Sequence, residues 1–147
     1  DDKGIKNYYP MVKVVAKDSG GNVLATTKVV LPVSDEMSCT KCHASNSVAA
    51  AKPSAGWVND TDAEKDWKKN ILKLHDDKHP NAIATAGMGG TYTGATLLAT
   101  SDAGQPILCA SCHKSNALGT GLKAGITPLT EALHSKHANV IDPDTGT

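Results

Sequence analysis

The four cysteines fall as two C-x-x-C pairs, each followed at once by histidine: Cys39-Thr40-Lys41-Cys42-His43 and Cys109-Ala110-Ser111-Cys112-His113. This is the attachment pattern of c-type haem. Two thiols three residues apart reach the two vinyl groups of one porphyrin, and the adjoining imidazole is then held beneath the iron. Both sites continue alike as C-x-x-C-H-x-Ser-Asn, with Ser45-Asn46 after the first and Ser115-Asn116 after the second, a short internal repeat. The expectation is two covalently bound haem c groups, held by Cys39, Cys42, Cys109 and Cys112, with His43 and His113 as the proximal ligands of the two irons.

Three other chemistries use paired cysteines. Structural zinc bound by four thiolates needs no histidine directly after each pair, so it leaves two coincidences unexplained. A thioredoxin-like dithiol belongs at a helix start after a parallel strand, and no βαβ pattern surrounds either pair. Disulfides across a three-residue spacing close very small rings that stabilise little.

Each iron needs a sixth ligand or keeps an open position, and the four remaining histidines form two clusters, Leu74-His75-Asp76-Asp77-Lys78-His79 and Leu133-His134-Ser135-Lys136-His137. Spacings of four and three put each pair on one face of a helix. One distal ligand from each cluster is expected. Between His75 and His79 the helical phase favours His75, four residues after Ile71. In the second cluster phase favours His137, near Leu129 and Leu133, whereas the repeated Leu-His start equates His134 with His75, so both stay open. The two surplus histidines then serve as hydrogen-bond donors around the iron ligands, or ligate iron held by another chain or by a further part of this one. Met11, Met37 and Met88 could ligate iron in place of histidine, but packing is the preferred reading for them.

In these motifs the chain resembles the multihaem c-type cytochromes. The resemblance implies one-electron transfer through bis-histidine haems at low reduction potential, with redox partner proteins or extracellular electron acceptors. It also implies a periplasmic, cell-surface or extracellular location, as in anaerobic respiratory bacteria that reduce metals or sulfur compounds. In such proteins neighbouring subunits sometimes share a haem ligand. With imidazole on both sides of each iron no position remains for oxygen, peroxide or nitrite, so an electron carrier is expected rather than an enzyme. Two alternatives stand beside it. One is a dihaem peroxidase or reductase with one open iron site, for which Asp76, Asp77 or a spare histidine would supply acid and base groups. The other is a subunit of a haem-bearing polymer that conducts electrons, joined through a spare histidine or a strand edge.

The elements that must position these residues are short. Residues 62–78 read as a helix, with N-caps at Asp60 to Asp62, a stripe of Trp67, Ile71 and Leu74, lysines late in the segment and Pro80 beyond its end. A second helix is expected to open at Thr127-Pro128, Thr as N-cap and Pro at the first helical position, and to run to Ala138. Residues 11–16 and 23–31, rich in β-branched side chains, flank the turn signal Lys17-Asp18-Ser19-Gly20-Gly21-Asn22 and predict an N-terminal β-hairpin between Pro10 and Pro32. Residues 81–105 read as a long loop with a short strand at 96–100.

Leu, Ile, Val and Phe together number 27 of the 147 residues, low for a protein that builds its own core. Disorder normally comes with high net charge, but here 15 Lys balance 15 acidic residues. That balance gives no support to a basic nucleic-acid stripe either. A large apolar prosthetic group is the natural filling for such a chain, and four haem propionates would make the loaded protein acidic. No run approaches the roughly 18 apolar residues of a membrane span. The start, Asp1-Asp2-Lys3-Gly4, has no signal-peptide core, so an exported form implies a leader already removed or a longer precursor. The tail from Asp142 reads as a linker, consistent with a larger multihaem parent. The expected fold class is a mostly irregular multihaem cytochrome fold, with short α-helices round two haems and a small N-terminal β-hairpin. The expected organisation is a hairpin segment over residues 1–34 and a dihaem domain over 35–147.

Overall fold

Strand β1 (Met11–Lys17) and strand β2 (Val23–Val30) pair antiparallel, with Val12 opposite Val29 and Val14 opposite Thr27. The turn between them is built by one carboxylate. Asp18 Oδ1 accepts from the backbone N–H of Gly20 at 2.9 Å and of Asn22 at 2.8 Å, and Oδ2 accepts from Asn22 Nδ2 at 2.9 Å. Gly21 supplies the positive φ of 86° that a β-branched residue would resist. These bonds, led by the Asn22 side chain, hold the Asp18 carboxyl below its ordinary range.

The computed structural model describes residues 10–30, 38–115, 121, 123–144 and 146. Leu31, Pro32, Met37 and Asn116, and the chain start, lie outside the described residues. The chain divides into two compact units, Asp1–Met37 with His113–Thr147, and Ser38–Cys112.

In the unit Ser38–Cys112, helix α1 (Thr40–His43) carries the first motif and packs on helix α2 (Ala63–Lys78). As the charge pattern predicts, α2 opens at Asp62, whose side chain accepts from Glu64 N at 2.9 Å and Lys65 N at 3.3 Å. Its buried face differs from expectation. The buried residues are Asp66 and Asn70, while Trp67, Ile71 and Leu74 are only partly buried. The reason is tertiary: Asp66 and Asn70 bind the loop after the first motif.

Helix α3 (Ala82–Thr85) and helix α4 (Leu97–Asp102) occupy the segment expected to be a loop with a strand at 96–100. The strand reading is therefore corrected to a helix. Thr96 Oγ1 caps it, accepting from Ala99 N at 3.1 Å, and Asp76 of α2 accepts from Leu97 N and Leu98 N at 3.0 Å each. Three orphan donors of the first turn are thus satisfied, and capping outweighs the β-propensity of the threonines. Gly94 lies against this turn: a Cβ there would stand 2.5 Å from Thr100 N and 2.8 Å from Thr100 Cα.

The apolar core of this unit is small. Ile83, Tyr92 and Leu97 are buried, with Leu72, Met88 and Ile107 packed against them. Two of the most deeply buried side chains, Asn70 and Thr100, are polar. Lys69, within α2, joins the segment before that helix to the end of α4, 2.7 Å from Asp60 Oδ2 and 2.9 Å from Asp102 Oδ1. Its hydrogen bonds to those two carboxylates raise the Lys69 pKa and lower that of Asp60.

In the other unit, helix α5 (Leu129–His137) packs on β2. Its N-cap is Pro128 with no side-chain cap, one residue later than the Thr127 cap expected from sequence. Asp142 is buried, and its backbone carbonyl accepts from Gly146 N at 2.8 Å. Among the described residues no helix is long and apolar enough to cross a membrane.

Candidate haem sites

One turn of helix arranges the first motif. Cys39 stands at the N-cap of α1, and its carbonyl accepts from Cys42 N at 3.2 Å and His43 N at 2.9 Å. Offsets of three and four residues bring Cys39, Cys42 and His43 to one face. Ser47 Oγ donates to the carbonyls of Cys42 and Ala44 and closes the turn. The second motif follows the same plan in a tighter form: Cys109–Ser111 is a 3₁₀ turn, and Cys112 N donates to Cys109 O at 3.2 Å. Cys39 and Cys109 are exposed, Cys42 and Cys112 partly buried, and none of the four is in a disulfide.

Behind the first motif lies a polar clamp that the sequence reading did not assign. Ser45 donates its backbone N–H to Asp66 Oδ2 and its hydroxyl to Asp66 Oδ1, both at 2.6 Å. Asn70 Nδ2 donates to Ser45 Oγ at 3.0 Å, and Asn70 Oδ1 accepts from Val58 N at 2.9 Å. Asp60 N donates to Asp66 Oδ1 at 2.9 Å. Burial pushes the Asp66 carboxyl up, but the hydrogen bonds from Ser45 and Asp60 outweigh it and leave the pKa lowered. The Ser-Asn repeat after each C-x-x-C-H was the available signal for this clamp.

The second motif is held on both sides. Tyr92 Oη donates to Leu108 O at 3.3 Å and accepts from Leu108 N at 3.1 Å, fixing the residue before Cys109. On the other side, His113 Nδ1 lies 2.7 Å from Thr127 O. A carbonyl can only accept, so Nδ1 carries the proton and the neutral ring keeps its lone pair on Nε2.

The histidine clusters sit on the two longest helices among the described residues. His75 is inside α2 and partly buried, with Nδ1 buried, whereas His79 is the exposed C-cap residue. Their ring centroids are 5.0 Å apart. In α5, His134 is 3% exposed with Nδ1 buried. His137 places Nδ1 2.6 Å from Leu133 O and so donates to the preceding turn. His43 also has a buried Nδ1.

Asp76 and Asp77, two of the groups suggested for acid–base work, are engaged with backbone donors. Asp76 caps α4, and Asp77 Oδ2 accepts from Ser54 N at 2.6 Å. Met88 packs on the Ile83–Tyr92–Leu97 core, and Met11 lies in β1. Among the described residues no three His, Cys, Asp or Glu are gathered as ligands of one metal ion.

The residues present fit a haem attachment site: paired thiols and an imidazole on one turn, and at the second motif an imidazole whose tautomer leaves Nε2 as the donor to a metal. Comparison with protein-family models, curated proteins and solved structures found no match to this chain.

Proposed function

We propose that this chain is an electron-transfer protein that binds two c-type haems, one through Cys39 and Cys42 with His43 as proximal ligand, the other through Cys109 and Cys112 with His113. The observation that carries the reading is the C-x-x-C-H motif occurring twice, each time with its two cysteines joined by a single turn. When bound, the haems supply the one-electron chemistry. The chain's own residues attach them, ligate iron and fix the loops on either side.

His75 and His134 are the distal ligands in this reading. Both follow leucine in the repeated Leu-His pair, both lie within helices, and both bury Nδ1. With two imidazoles on each iron the reduction potentials are low, because no methionine raises them. Haem attachment takes place outside the cytoplasm, so the site of action is periplasmic, cell-surface or extracellular, with redox proteins or external acceptors as partners. The engagement of Asp76 and Asp77 with backbone donors supports a carrier over a peroxidase or reductase. Haem staining of the denatured chain after electrophoresis tests the covalent attachment: a stained band supports the reading, and an unstained band from cells competent in haem attachment contradicts it.

A second reading, a subunit of a conducting polymer, is favoured by the hairpin. A two-stranded sheet is marginal alone, and here Val14, Val23 and Leu24 are 48%, 59% and 68% exposed. Sedimentation of the loaded protein tests it: assembly that rises with concentration supports the reading, and a monomer at high concentration contradicts it.

A further inference from the structure

Trp67 presents an anomaly that the fold does not resolve. Its indole Nε1 is buried yet has no hydrogen-bond partner, and the same residue holds Lys68 Nζ 5.0 Å from its ring centroid. A buried N–H without an acceptor costs free energy that native proteins almost always avoid. The polar side of α2 offers acceptors at Asp66 and Asn70, but these are taken by Ser45, Asp60 and Val58. Trp67 lies beside them, on the partly buried stripe of Trp67, Ile71, Leu74 and His75.

Residues 67, 71 and 75 are spaced by four, so Trp67 lies about two turns before His75 along one face of α2. Three features meet there: an apolar stripe that the protein leaves partly uncovered, an imidazole, and a donor in want of an acceptor. A haem meets all three demands. Its ring is flat and apolar, its iron takes imidazole, and the only hydrogen-bond acceptors on its periphery are its two propionates. We infer that the indole N–H of Trp67 donates to a propionate of the haem held by His43 and His75, an inference that rests on the dihaem reading above.

The sign of one substitution tests this. Trp67→Phe removes the N–H and keeps an aromatic ring. If Trp67 were an orphan donor, its removal would leave stability unchanged or raise it, with no effect on either haem. If it donates to a propionate, removal leaves that carboxylate charge less compensated, which favours ferric iron. One of the two reduction potentials then falls, by about threefold in the ferric/ferrous equilibrium constant, and the loaded protein becomes less stable. Haem content and carbon monoxide insensitivity are measured first. Failure to find two haems in the parent protein sinks the dihaem reading itself. Two haems with both potentials unchanged in Trp67→Phe overturn the Trp67 inference alone.

Should Trp67→Phe fail to fold, the parent protein decides. The Trp67 indole proton, assigned against that of Trp57, should shift between the oxidised and reduced forms because it lies beside the paramagnetic iron's porphyrin. An identical position in both oxidation states would overturn the inference.

Discussion

Asp66 Oδ2 accepts the backbone N–H of Ser45 and Asp66 Oδ1 its hydroxyl, each at 2.6 Å across 21 residues of sequence. Ser45 lies two residues after His43, so this pair anchors the first C-x-x-C-H turn to the helix that carries His75. Asp66→Ala strands donors of Ser45, Asp60 and Asn70 in a partly buried setting. It should cost about 1–3 kcal/mol, whereas Ser45→Ala, which leaves the backbone N–H bonded, should cost about 1 kcal/mol. Urea unfolding of the two variants checks the order; equal and negligible losses would show that the clamp carries no stability.

Acid should loosen the same clamp. The Asp66 carboxyl titrates below its ordinary 3.8 in the folded chain. A carboxyl depressed by folding contributes its stability above the unfolded value, and that contribution is lost as pH falls through the folded one. Stability should therefore decline below about pH 4, and Asp66→Asn should flatten that decline. Unfolding midpoints at pH 7, 5 and 3 measure it, and parallel pH profiles for the parent and Asp66→Asn would contradict the assignment.

Gly94 and Gly90 should respond oppositely to alanine. A methyl at Gly94 meets the Thr100 backbone at 2.5 and 2.8 Å, while nothing lies within 4 Å of one at Gly90. Gly94→Ala should destabilise by about 1–3 kcal/mol through overpacking against α4. Gly90→Ala should be neutral or gain up to about 1 kcal/mol from the unfolded chain's lost freedom. Thermal melts of the two variants, run side by side, decide this.

Much of this architecture could be read from residue order, because its signals are local. Asp62 before a lysine-rich amphipathic run marks the start of α2, and Asp18-Ser19-Gly20-Gly21-Asn22 marks the hairpin turn; both act within four residues. What could not be read is long-range. Hydropathy made Trp67, Ile71 and Leu74 the buried stripe, but Asp66 and Asn70 are buried because Ser45 and Val58 supply their partners. Likewise residues 96–100 have the composition of a strand, and the carboxylate of Asp76, some twenty residues upstream, joins the Thr96 cap in holding them as a helix. The C-x-x-C-H motifs were plain in sequence, while their anchors, Asp66, Tyr92 and the Thr127 carbonyl, are products of the fold.

Distal ligation gives the sharpest set of substitutions. In the proposed reading His75→Ala and His134→Ala each open one iron, so each reduced variant should bind carbon monoxide at one haem of two. His79→Ala and His137→Ala should leave both irons closed. Visible difference spectra report the result, and carbon monoxide binding in His79→Ala or His137→Ala would exchange the ligands within that cluster.

The central claim is tested most directly by the visible spectrum of the purified protein, oxidised, reduced, and reduced under carbon monoxide, with the haem counted per chain. The account predicts sharp c-type bands from two haems per chain, unchanged by carbon monoxide. A colourless protein, expressed where haem attachment operates, would contradict the haem assignment, and a carbon monoxide shift on one haem would contradict the closed, electron-carrying sites.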